Sequence, residues 1–295
     1  MSEKPRVLRN ELLRRYTSWR VGGPADLLCR PASLEELQVF LGEVPRDMPV
    51  TWLGLGSNVL VRDGGIRGAV ICTSGLPRVI ERVDAGRVRA GAGVPCATLA
   101  RRCVRWKLGP AAFFAGIPGS VGGALAMNAG AYGADTWDRV ESVTTIDRAG
   151  VLHERGRAAY DVGYRRVTGA PGEWFVNAVF AFEPDRAGEA LAMKELLATR
   201  SAAQPLGRPN AGSVFRNPPG DFAGRLIEAA GLKGRRQGGA VVSEKHANFI
   251  VNEGQATAAD VEGLIATVQK TVKERTGVLL ELEVRVLGAP AGGHS

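Results

Sequence analysis

At 295 residues, with 45% hydrophobic and 23% charged residues, the chain has the composition of a globular protein with room for about two cored domains. A net charge of +8 suits anionic small molecules, a membrane surface or nucleic acid, but no long Lys/Arg tract or aromatic-rich basic strand supports nucleic acid. Three histidines and four cysteines (Cys29, Cys72, Cys96, Cys103) without CxxC spacing make a zinc site improbable and disfavour a Ser-His-Asp hydrolase. The charged opening MSEKPRVLRNELLRRYT has no apolar core, so no signal peptide is read, and the thiols are expected free in a reducing cytoplasm.

Ser33-Leu-Glu-Glu36 reads as a capping box, with Leu34, Leu37, Phe40 and Leu41 on one helical face. Residues 50–55 are strand-like and end in Gly54-Leu-Gly56-Ser-Asn58; 59–62 read extended, and Asp63-Gly64-Gly65 makes a turn. Short strands are expected over 69–73, 79–83 and 88–90, and Leu99, Cys103 and Trp106 mark a helix. Residues 140–146 and 174–182 complete a β-rich section. The character changes near Glu189: a helix over 189–200, a Pro- and Gly-bearing loop to 212, and a helix capped by Asp221 that ends near Gly231. Thr257 and Asp260 form a capping box before a stripe of Val261, Leu264, Ile265, Val268 and Val272, stopped by Gly277. From 278 to 287 the chain alternates, with Leu280, Leu282, Val284 and Val286 inward and Glu281, Glu283 and Arg285 on the other face.

The run from Leu108 to Ala134 carries no charge, which by length alone suggests a membrane span. Its seven glycines and two prolines argue otherwise, since each Gly costs a helix ~1 kcal/mol against Ala and each Pro ~3. Small residues around the lone Asn128 suit close backbone approach to a phosphate-bearing ligand. Gly54-Leu-Gly56 lacks the third glycine and the following helix of a dinucleotide fingerprint, and no GxxxxGK[ST] is present, so Rossmann and P-loop chemistry are set aside. Two glycine-rich loops remain, one polar at Ser57 and Asn58, the other at Ser120 and Asn128, fit to meet around a pyrophosphate.

The segments LGLGSNVLVRDGGIRGAVI (53–71), AGIPGSVGGALAMNAGAYG (115–133) and NAGSVFRNP (210–218) closely resemble the UDP-N-acetylenolpyruvoylglucosamine reductases. TSWRVGGPA (17–25), EAAGLKG (228–234), SEKHANFIVN (243–252) and LELEVRVLG (280–288) resemble the same family in the same order, across essentially the whole chain. The resemblance implies an α+β protein: a two-subdomain FAD-binding fold of the vanillyl-alcohol-oxidase/p-cresol-methylhydroxylase type over 1–188 (roughly 1–70 and 71–188). A C-terminal α+β substrate-binding domain over 189–287 and a tail over 288–295 complete it. It implies non-covalent FAD held by Gly54, Gly56, Ser57, Asn58, Gly116, Gly119, Ser120, Gly122, Gly123, Asn128 and Gly130, with NADPH as electron donor and no metal. His153, the only histidine before residue 246, is not placed for the covalent flavin link common on this fold.

The family reaction adds a hydride from reduced flavin to the vinyl carbon of an enolpyruvyl ether, so the substrate carboxylate must be held while negative charge develops and a proton arrives. The matching positions are Arg165, Ser213 and Glu283. From residues alone each has a bland rival: a surface charge, a turn serine and a glutamate on a solvated strand face. Ser213 needs a neighbouring charge network, to which Lys245 or Arg216 contributes. Tyr164, Arg200, Gln204, Asn217, Lys245, His246 and Asn248 are the implied binders of the UDP-sugar, Asn248 having turn formation as its alternative. Between Arg165 and Phe182 the chain lacks the substrate-covering, Tyr-bearing insertion of the longer subtype, and Ala112 and Val167 depart from the residues relatives often carry. A flavin oxidase of the same fold and a non-redox sugar-nucleotide-binding protein stand as alternatives. A cytoplasmic monomer without nucleic-acid or membrane partners is the expectation.

Overall fold

The computed structural model describes residues 5–184 and 188–292. The chain folds as two compact units that are not contiguous in sequence. The first comprises the N-terminal residues through Arg9, Leu27–Leu55 and Gly68–Arg200; the second comprises Asn10–Asp26, Gly56–Arg67 and the chain from Ser201. The division into compact units falls within the 54–58 loop and at Arg200.

In the first unit a five-stranded antiparallel sheet runs in the order Leu152–Gly156, Val140–Asp147, Glu173–Ala181, Arg87–Gly91, Ile80–Arg82. Its side chains alternate between faces. Val88, Ala90, Val143, Ala178 and Phe180 pack on Leu99 and Cys103 of helix α2 (Cys96–Arg105) and on Val121 and Leu125 of helix α3 (Val121–Met127). Ile146 and Val176 join the core of helix α1 (Leu34–Glu43), where Leu37, Phe40 and Leu41 are buried as their spacing predicts. The capping box of α1 is only half formed. The Ser33 hydroxyl accepts the Glu36 N–H at 3.1 Å, but the Glu36 carboxylate reaches past the cap to the Ala32 N–H at 2.8 Å. Val50–Leu53 and Ile66–Cys72 pair in parallel, Leu53 opposite Cys72, and this sets the exit into the first glycine loop. The uncharged run forms a 3-10 turn (Ala112–Gly116) and the short α3; no helix among the described residues is long and apolar enough to cross a membrane. Helix α4 (Glu189–Ala203) closes this unit at Arg200.

In the second unit, helix α6 (Ala258–Thr276) has both halves of its capping box, and Gly277 ends it at φ +75°. Val261, Leu264, Ile265, Val268 and Val272 are all buried, each contributing about 1.5–3 kcal/mol of hydrophobic stabilisation. They pack with helix α5 (Ala223–Ala229) and an antiparallel sheet of Arg236–Gln237, Ala240–Val242 and Ile250–Asn252. Trp19 is wedged fully into this core; its indole N–H donates to the Ile250 carbonyl at 2.7 Å, and Asn252 Nδ2 donates to the Trp19 carbonyl at 2.8 Å.

Two expected elements are corrected. Asp221 lies one residue before the cap of α5, which is Phe222; its carboxylate accepts the Phe222 N–H and pairs with Arg225. The alternating segment 278–287 is regular strand only over Arg285–Leu287, parallel to Val59–Val61. The ladder breaks because the Val214 carbonyl takes two successive amides, Glu283 at 2.9 Å and Val284 at 3.4 Å.

Candidate active site

Gly54 and Ser120 bring the two glycine loops together within the first unit: a β-carbon on Gly54 would lie 2.8 Å from Ser120 Oγ. Ser120 is 1% exposed, and its hydroxyl has no partner among the described residues. A buried unpaired hydroxyl costs about 1–3 kcal/mol, which a bound ligand would offset. Gly123 is exposed, and a β-carbon there would meet nothing nearer than Ser120 Oγ at 3.8 Å. An unfilled hydroxyl beside open glycine backbone is what a cofactor's polar atoms need, so these residues fit FAD.

Other glycines of the expected cradle owe their identity to packing within the chain. A β-carbon at Gly56 (φ +64°) would strike the Tyr16 carbonyl at 2.1 Å, one at Gly116 the Tyr132 ring at 2.6 Å, and one at Gly122 the Ala92 Cβ at 2.8 Å. The amides of Val121 and Gly122 are committed to the carbonyls of Val94 (2.8 Å) and Ala92 (2.9 Å), so the start of α3 does not present them to a phosphate. Gly119 adopts φ +147°, and Ser57 is half-buried. The Asn128 side chain braces the backbone: Nδ2 donates to the Gly163 carbonyl at 3.2 Å, and Oδ1 accepts the Trp137 N–H at 3.1 Å. A cavity of about 310 Å³ in this unit, lined by Leu34, Leu76, Val79, Gly91, Val176 and Asn177, carries no sequence motif and escaped sequence reading.

Arg165 is not a surface charge. It occupies a two-residue hairpin tip with Tyr164, between Asp161–Gly163 and Arg166–Thr168, at φ +52°, a conformation that costs a non-glycine residue about 1–3 kcal/mol. Its guanidinium donates to the carbonyls of Asn128 (2.9 Å) and Gly130 (3.3 Å), pairs with Asp135 (3.3 Å) and lies 4.8 Å over the exposed Tyr164 ring. Nearby, Arg200 donates to the Ala115 carbonyl at 3.3 Å, and burial pushes its pKa down. Tyr132, unremarked in the sequence reading, donates its hydroxyl to the Leu196 carbonyl at 2.8 Å and fills the space over Gly116. Its signal was the one tyrosine in the uncharged run.

In the second unit Ser213 and Glu283 are tied through one residue, since the Val214 carbonyl holds the Glu283 amide. Glu283 is half-buried, against the default for its strand face. Asn58 holds it from the other side: Nδ2 donates to the Glu283 carbonyl at 3.1 Å, and the Asn58 carbonyl accepts the Arg285 N–H at 3.0 Å. Asn248 is 3% exposed with both ends of its amide committed to the Phe215 backbone, at 3.0 and 2.8 Å. These bonds fix the turn after Ser213, the alternative role the sequence left open for Asn248.

Asn217 is exposed, and its Oδ1 accepts the Ala223 N–H at 3.1 Å. Lys245 donates to the Ser201 carbonyl at 2.5 Å, and Gln204 caps the loop there, its carbonyl taking the Leu206 N–H at 2.8 Å. His246 Nδ1 accepts the Asn248 N–H at 3.2 Å, which puts the ring proton on Nε2, and burial lowers the imidazole pKa. The Arg216 Nε is buried without a partner among the described residues, while the Arg216 amide donates to the Glu281 carbonyl at 2.9 Å.

A family model described as the UDP-N-acetylenolpyruvoylglucosamine reductase C-terminal domain matches residues 204–287, and an FAD binding domain model matches 25–156. The UDP-N-acetylenolpyruvoylglucosamine reductase of Alkalilimnicola ehrlichii is 57% identical over 290 residues, covering 97% of this chain and 96% of that protein. The chain belongs to the UDP-N-acetylenolpyruvoylglucosamine reductases. The family protein of Methylococcus capsulatus is 56% identical over 283 residues, covering 95% of this chain and 93% of its own. The crystal structure of the Thermus caldophilus reductase superposes with a TM-score of 0.83 at 35% identity, over 96% of this chain and 100% of that one. This reductase is therefore an FAD-containing oxidoreductase of peptidoglycan precursor synthesis, built from an FAD-binding domain and a C-terminal family domain in a mixed α and β fold.

Proposed function

We propose that this chain converts UDP-N-acetylglucosamine enolpyruvate to UDP-N-acetylmuramate with NADPH, and that Arg165, Ser213 and Glu283 are its catalytic groups. The observation that supports this most is the clamp on Glu283, whose amide is held by Val214 and whose carbonyl is held by Asn58. These two bonds fix the backbone of the half-buried Glu283 next to the loop that carries Ser213, and a side chain on so fixed a backbone suits a group that must act on a substrate. FAD, held through Ser120, Gly54 and the open backbone at Gly123, supplies the hydride when bound.

The chain's own residues do the rest. Arg165, cationic and pre-oriented, stabilises the charge that develops on the substrate carboxylate; such preorganised stabilisation is worth roughly 3–4 kcal/mol per group removed. Ser213 delivers the proton to the carbon beside the carboxylate, and Glu283 holds the hydrogen-bond network that lets a serine act as an acid. Arg200, Gln204, Asn217, Lys245 and His246 are the candidates for gripping the UDP-sugar, with His246 donating from a neutral ring and Tyr164 offering its exposed face.

The cofactor is read as non-covalent, because His153 is held by the Asp147 carboxylate at 2.9 Å in its hairpin. The division of labour follows the sequence boundaries, cofactor over 1–188 and substrate over 189–287. We read the enzyme as a cytoplasmic monomer without nucleic-acid or membrane partners, and light scattering on the pure protein checks the monomer. Anaerobic mixing with NADPH should bleach a yellow protein, and the enolpyruvyl sugar nucleotide should restore the colour. Bleaching that only oxygen reverses would point to the oxidase instead.

A further inference from the structure

Arg165 sits where a cation is hardest to hold, at the tip of a two-residue hairpin, yet its side chain is only 14% exposed. The stretch 128–135 builds its bracket. Two carbonyls, Asn128 and Gly130, and the Asp135 carboxylate receive the guanidinium at 2.9, 3.3 and 3.3 Å. Asp135 is itself fixed. It pairs across a short hairpin with Gly130, and it caps a 3-10 turn in a reciprocal box with Asp138.

Gly130 shows what this arrangement requires. Its φ is not in the left-handed region, so its identity is not set by backbone conformation. A β-carbon there would lie 1.8 Å from the Asp135 carboxylate oxygen and 2.6 Å from the Ala134 carbonyl. The missing side chain is the room in which the carboxylate crosses to reach Arg165.

We propose that Asp135 is a positioning residue for Arg165, holding the guanidinium in one orientation at the reacting centre, and that Gly130 is present to let it pass. Asp135 is 38% exposed, so its contribution is orientation more than attraction, which solvent screens. A charge-assisted bond fixes direction as well as distance, and misplacement of a catalytic group by about 1 Å costs on the order of 10² in rate. The proposal rests on Arg165 facing the substrate carboxylate.

The test is a double-mutant cycle on the holoenzyme, read by stopped flow in each half of the reaction. Asp135→Asn keeps an oxygen for the turn cap and loses the charge. It should slow reoxidation of the reduced enzyme by the enolpyruvyl sugar nucleotide by about 10- to 100-fold. Reduction by NADPH, flavin content and melting temperature should stay near wild type. In an Arg165→Ala background, Asp135→Asn should add almost nothing, because its target is gone. The same slowing in both backgrounds would show that Asp135 acts elsewhere and overturn the proposal, as would wild-type reoxidation in Asp135→Asn alone. Wild-type reoxidation in Arg165→Ala alone would instead remove the reading of Arg165, and the positioning role with it.

Discussion

Asn58 and Glu283, 225 positions apart, are joined by a 3.1 Å hydrogen bond from the asparagine Nδ2 to the glutamate carbonyl. The asparagine of a glycine-rich loop thereby helps fix the backbone that carries the Glu283 side chain. Asn58→Ala leaves that carbonyl short of a partner and should destabilise the protein by about 1–3 kcal/mol in urea unfolding. It should also slow the substrate half-reaction more than flavin reduction. An unchanged unfolding midpoint and unchanged rates would mean the bond steers nothing.

Adjacent glycines of α3 should behave in opposite ways. Gly122→Val drives a side chain into Ala92 and should cost about 1–3 kcal/mol whether or not flavin is present. Gly123→Leu projects into open space, so the apoprotein should keep its stability while bound FAD falls sharply. Absorbance at purification, paired with apoprotein melting, separates the two. A full flavin complement in Gly123→Leu would place the cofactor away from this face.

His246 provides a pH signature. Burial and the Asn248 amide on Nδ1 favour the neutral ring, so its folded pKa lies below the unfolded value of 6.5. Its stabilisation is therefore complete above that value and is lost as pH falls through the folded pKa. Wild type should lose stability below pH 6.5 more steeply than His246→Gln. Parallel stability curves would show that the ring does not titrate between the two states.

The thiols should be inert. Burial pushes Cys29, Cys96 and Cys103 up to about 12, leaving almost no thiolate near neutrality. Iodoacetamide at pH 8 should modify these three only after urea unfolding, by peptide mass spectrometry. Rapid native labelling of any of them would contradict the buried placement.

The periodic elements were legible because single rules determined them. Thr257, Asp260 and Gly277 bounded α6, and its apolar stripe is the stripe that is buried. Segment 278–287 misled because alternation reports facing, not pairing; the Val214 carbonyl, accepting two amides at once, breaks the ladder in a way no local pattern encodes. At the site, the motifs point to stretches of chain but not to the partners of each side chain. Asn128 and Asn248 read as ligand contacts because an asparagine in a loop carries the same local signature as one that braces backbone 35 or 33 residues away. Asp135 went unseen because its meaning lies in Gly130 and Arg165, one beside it across a hairpin and the other on a different hairpin.

The central assignment is Ser213 as proton donor, and Ser213→Ala tests it most directly, because the reaction splits into two observable halves. Flavin bleaching by NADPH needs no proton on carbon and should proceed at nearly the wild-type rate. Return of the flavin absorbance on mixing with the enolpyruvyl sugar nucleotide should slow by at least ~10²–10⁴, with partial recovery in Ser213→Cys. Reoxidation of Ser213→Ala at the wild-type rate would reduce Ser213 to a turn residue and contradict the assignment.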